Sequence, residues 1–177
     1  MKLLKFKKVI VTVLIVVVCY LLQCTVFSEL ALASIKPNLM IIVAASYGFI
    51  KGSKQGMFVG FASGLLIDIQ FGHIIGLYAL LYMLIGYING LFQQLYFDED
   101  IKFPLILISA SEFIYGLLVY FLLFLLQGEF QFMYYLSHII IPELIYTIVV
   151  TLILYPIILF INHKLDAEEK RSADKFV

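Results

Sequence analysis

The apolar positions of this chain fall into six runs. They cover residues 9–27, 35–50, 56–69, 74–92, 103–126 and 139–161, and short polar breaks separate them. A stretch that is apolar on every face predicts a helix surrounded by lipid or by other helices. A helix that crosses a bilayer takes about 20 such residues, fewer where the bilayer or its neighbours accommodate it. Pro37 stands near the start of the second run, and Pro104 and Pro142 fall in the first turns of the fifth and sixth, where a helix tolerates proline. Lys51–Gln55 (KGSKQ) reads as a tight turn, Asp98–Lys102 as a polar break, and Gln127–Ser137 as a mixed polar and aromatic loop. From His163 to Val177 the chain reads as a helix end running into a charged, disordered tail. The expectation is an all-α integral membrane protein, a six-transmembrane-helix bundle with one domain over residues 1–163 and a tail over 164–177.

Composition supports that expectation. Of the 177 residues, 63% are hydrophobic, and the mean hydropathy is +1.05. Soluble domains run nearer half apolar, so the excess predicts surface that faces lipid. Formal net charge is zero, and the absence of a basic tract weighs against nucleic acid.

The placement of charge says more. If the N-terminus is cytoplasmic and every run crosses, the inner segments hold Lys2, Lys5, Lys7, Lys8, Lys51, Lys54, Lys102, Lys164, Lys170, Arg171 and Lys175, which is 11 of the 12 basic residues. Only Lys36 falls outside. Basic residues favour the cytoplasmic side, so both termini are expected there. The second and third runs are short enough to suggest a re-entrant hairpin. That geometry would carry Lys51 and Lys54 towards mid-membrane at considerable cost, so two crossings are preferred. The basic start and Ala31-Leu32-Ala33 resemble parts of a signal peptide, but the apolar stretch is too long and the small residues lie too far beyond it. Gln23 before Cys24 likewise disfavours a lipoprotein site. An uncleaved anchor is expected.

Few residues offer chemistry. Cys19 and Cys24 read as small packing residues, and no His or Cys spacing suggests a metal. No nucleophile–base pair or phosphate loop is present, so no enzyme activity and no cofactor are expected. Gly56, Gly60 and Gly64 recur every four residues beside Ser53, and Gly86 and Gly90 make a second small-residue face. Such spacing lets helix backbones approach closely, within the chain or against a partner. Glu112 stands about ten residues into the fifth run, near the midplane at ~1.5 Å per residue, with Ser109 and Gly116 on its face. It is expected to face the bundle as a structural carboxyl, Asn89 being the only polar partner at matching depth. Glu143, Thr147, Thr151 and Tyr155 form a polar stripe at four-residue spacing, with part of each threonine's bonding turned back on its own helix. Asp68, His73, Glu129 and their polar and aromatic neighbours collect at the outer ends.

One stretch is more specific. Residues 50–90 read IKGSKQGMFVGFASGLLIDIQFGHIIGLYALLYMLIGYING. Gly52 and Gly56 flank the turn, Gly60-Phe61, Gly64-Leu65 and Asp68 follow, and Gly72, Gly76, Gly86-Tyr87 and Gly90 complete the pattern. This resembles the rod shape-determining protein MreD family, as do Leu22-Gln23 and Pro37-Asn38-Leu39 upstream, although Asn38 replaces the family's usual acidic residue. The resemblance implies a non-catalytic membrane subunit of the bacterial elongation machinery in the cytoplasmic membrane, paired with MreC. It implies direct or indirect links to MreB filaments, to RodA and its transpeptidase, and to RodZ, and it leaves self-association open. The family is also similar in fold to the substrate-binding S subunits of energy-coupling-factor vitamin transporters, which makes such a subunit the alternative function. Those proteins resemble one another in an alanine-rich first helix, and VIVTVLIVVVCYLLQ here has no alanine. A proton-linked carrier using Glu112 is a third, weaker alternative.

Overall fold

The computed structural model describes residues 2–31, 35–71, 75–95, 101–124 and 131–174. Ala33 and Ser34, Gly72 and His73, the acidic residues of the 98–100 break, and Gln127 and Glu129 lie outside the described residues. Among the described residues the structure is helical and has no strand. Its longer helices are α1 (Lys2–Cys24), α3 (Leu39–Lys51), α4 (Ser53–Phe71), α5 (Leu77–Leu91), α6 (Lys102–Val119) and α8 (Ile141–Asp174). Two short ones, α2 (Val26–Glu29) and α7 (Phe132–Tyr135), lie between them.

Three helices are long and apolar enough to cross a membrane: Phe6–Glu29, Lys102–Leu123 and Phe132–Glu169. Their outward sides are apolar. Val9, Val13 and Leu21 of α1, Ile106 and Ile114 of α6, and Ile145, Ile153 and Phe160 of α8 are all exposed. A water-soluble protein would not present so continuous an apolar surface. In lipid it costs nothing, and the β-branched run of α1 still forms a helix because every backbone group must be paired internally.

α3 is the opposite case. Every residue from Leu39 to Phe49 is buried. With 13 residues it is about 20 Å long, short of a ~30 Å hydrocarbon core. A helix apolar all round needs cover on all sides, and α1, α4, α5, α6 and α8 all pack on it. The second apolar run is thus the axis of the bundle rather than a lipid-facing span.

Other boundaries shift for identifiable reasons. Gly52 turns the chain at φ +88°, a conformation that favours glycine, so α4 starts at Ser53 and reaches Phe71. It is therefore longer than its apolar stretch. The sixth helical stretch begins at Phe132, not 139, because a wide π-type turn over Leu136–Ile140 joins α7 to α8. That turn lies just ahead of Pro142, whose missing N–H cannot close an ordinary helical bond. At its far end α8 stays helical to Asp174, where a frayed tail was expected. Charged residues there have partners. Lys8 binds Asp166 at 2.7 Å and also Glu169, Lys7 binds Glu168 at 2.5 Å, and Lys51 binds Asp166 at 2.5 Å. Burial opposes ionisation of Asp166, but hydrogen bonds and charge from Lys51 and Lys8 outweigh it and hold the carboxyl below its ordinary range.

Candidate functional site

Two features organise the interior: a seam of glycines and a buried polar cluster. In the seam, a Cβ added to Gly60 would lie 2.2 Å from the Tyr82 carbonyl oxygen, and one on Gly64 would lie 2.4 Å from Ala79 Cα. One on Gly56 would lie 2.3 Å from the Gly86 oxygen, and one on Gly90 2.3 Å from Ser53 Cα. These pairs run in opposite directions along the two helices, so α4 and α5 are antiparallel with their backbones in contact. Gly48 of α3 joins them. Its added Cβ would meet the Gly86 oxygen at 2.6 Å, and Gly56 would meet Gly48 Cα at the same distance. Three helices therefore touch backbone to backbone at Gly48, Gly56 and Gly86. The five glycines singled out by spacing face the inside of this chain.

Asp68 closes the far end of the seam. It is 1% exposed. Its Oδ2 accepts from the N–H groups of Gly76 (3.0 Å) and Ala79 (2.9 Å), and its Oδ1 accepts from Tyr78 N–H (3.0 Å). Gly76, at φ +102°, precedes α5 and has no side chain to cap it. A helix start leaves amides unpaired and favours a negative charge. Asp68 supplies both remedies from the neighbouring helix.

The polar cluster lies where α3 begins. Asn38 caps that helix, its Oδ1 accepting from Ile41 N–H at 3.3 Å and from the Tyr82 hydroxyl at 2.8 Å. Its own N–H donates to Thr147 Oγ1 at 3.0 Å, and its side chain hydrogen-bonds Glu112. Gln23 accepts from Met40 N–H at 3.2 Å. Glu112 is 3% exposed, and Glu143 of α8 is within electrostatic range of it. Asn89 does not pair with Glu112. It donates instead to Ser111 Oγ at 2.7 Å and to its own helix at Ile85. Thr151 turns its hydroxyl back to the Thr147 carbonyl, and Thr147 Oγ1 reaches the start of α3 through Asn38 N–H. Glu143 is only half-buried. Asn38 and Gln23 were not singled out as site residues. A Pro-Asn pair directly before an apolar run is a helix-start signal that could have found Asn38.

The family model described as rod shape-determining protein MreD matches residues 4–164. The chain belongs to the MreD family. It is a membrane protein with a role in rod shape determination, associated with the shape-determining elongation machinery. No curated protein and no solved structure matches the chain. The polar positions on which the MreD resemblance rests have a common geometry here. Gln23 and Asn38 pair backbone amides at the start of α3, and Asp68 pairs those at the start of α5. They hold the starts of α3 and α5 in place. Among the described residues no group of His, Cys, Asp and Glu could hold a metal ion.

Proposed function

We propose that this MreD-family chain is a non-catalytic scaffold and regulatory subunit of cell-wall elongation, working with MreC in the bacterial cytoplasmic membrane. The family match over residues 4–164 carries this reading. The helix-packing character of the motif residues supports it, since they build a rigid bundle and present no reacting groups.

The chain crosses the membrane six times in this reading, with both ends in the cytoplasm. Two sets of contacts support the topology. Lys8 near the start of α1, Lys51 at the end of α3 and Asp166 towards the end of α8 meet at one end. Gln23 with Met40, Tyr20 with Gln70, and Asn38 with Thr147 meet elsewhere, where α1 ends, α3 begins and α4 ends. The helices therefore alternate in direction, and the end holding Lys7, Lys8 and Lys51 is the cytoplasmic one by the positive-inside rule. Because α5 occupies the glycine face of α4, partner subunits dock on the exposed apolar faces of α1, α6 and α8 instead. Depleting the protein from its rod-shaped host should give rounded cells with disordered lateral wall synthesis. Normal rods after verified depletion would refute the proposal.

A further inference from the structure

The end of α8 runs on past the apolar stretch 139–161. It reads NHKLDAEEKRSAD over 162–174 and stays helical to Asp174. A mostly polar helix this short is marginal by itself in water, so its order needs a cause. Asn162 and Leu165 turn inward and are buried. Asp166 and Glu169 continue the same side of the helix at helical spacing, and they meet ammonium groups carried by two other helices.

Asp166 is the junction. Its Oδ1 accepts from Lys8 Nζ of α1 at 2.7 Å, and its Oδ2 accepts from Lys51 Nζ of α3 at 2.5 Å. Glu169 also binds Lys8. The Lys51 side chain is only 12% exposed. Unpairing a charge so sheltered from water is costly, whereas an ordinary surface ion pair contributes little. Glu168 is of that ordinary kind. Its pair with Lys7 is well exposed, and Lys164 and Arg171 of its own helix also stand near it. α1 packs on α3 and α4, and α8 packs on α3 and α6. Long charged side chains therefore bridge the ends of α1 and α8.

We propose that the end of α8 is a strap that is ordered only while Asp166 is latched to Lys8 and Lys51. Closed, the strap is helical and ties α8 to α1 and α3. Released, it unwinds, uncovers both lysines and unties α1 from α8. The competing account is a helix held by charge pairing along its own length, through Lys164 and Arg171 around Glu168. In that account the latch is incidental.

Hydrogen exchange of the full chain in lipid vesicles, read by mass spectrometry, separates the two. The double variant Lys8→Gln with Lys51→Gln removes the latch and leaves the sequence of α8 untouched. It should speed exchange over 166–174 by about tenfold or more, as local opening does, while the amides of α4 and α5 stay protected. Glu168→Gln should leave the strap protected. In the unaltered chain, about 1 M salt shortens the screening length to ~3 Å and should speed exchange of the same segment. Undiminished protection in the double variant, faster exchange in Glu168→Gln than in the double variant, or protection indifferent to salt would each overturn the proposal.

Discussion

Asp68 shows how one side chain fixes a helix start inside an apolar environment. α5 begins after a glycine that cannot cap it. The carboxylate of Asp68 accepts from three backbone amides there. Asparagine has one acceptor oxygen and would turn an NH2 group towards amide donors. Asp68→Asn should therefore destabilise the fold by roughly 2 kcal/mol or more, read as a lower thermal midpoint in detergent. An unchanged midpoint would show that the three bonds are dispensable. The importance of Asp68 was visible in the sequence as a motif position, but its role was not. Its partners are backbone groups eight to eleven residues further on, and a backbone amide has no signature in the sequence. Glu112 illustrates the same limit. Its burial could be read from depth, whereas its partner Asn38 stands at the start of α3, which only the tertiary fold brings near.

Among the elements, the α4–α5 pair was the most legible. Glycines every four residues on two successive helices permit backbone contact, and the structure has that contact at 2.1–2.4 Å from added Cβ positions on Gly56, Gly60, Gly64, Gly86 and Gly90. Spacing could not reveal that Gly48 of α3 joins the same junction. The Tyr82 carbonyl beside Gly60 belongs to a helix backbone and cannot swing aside. Gly60→Ala should therefore cost at least the ~1–3 kcal/mol typical of an overpacked core. Ala62→Gly, on the exposed side of the same helix, should cost about 1 kcal/mol through helix propensity alone. Equal midpoints for the two variants would contradict the seam. α3 and α8 were read less well. Hydropathy cannot separate a helix buried in protein from one bathed in lipid, so the axial position of α3 was hidden. The charged end of α8 looked like a tail because its partners, Lys7, Lys8 and Lys51, lie more than a hundred residues away in the chain.

Across the whole molecule, charge and apolarity point to one design. Apolar faces of α1, α6 and α8 meet lipid, Asn38 pairs with Tyr82 and Thr147, and Gln23, Asn38 and Asp68 pair the starts of α3 and α5. Basic residues from the start of α1 and the end of α3 lock onto acids of α8. The most direct measurement is purification of the intact protein in mild detergent from its rod-shaped host, followed by identification of what comes with it. The account predicts recovery of MreC together with RodA and its transpeptidase. Recovery with a pair of ATPases and a bound vitamin would contradict it.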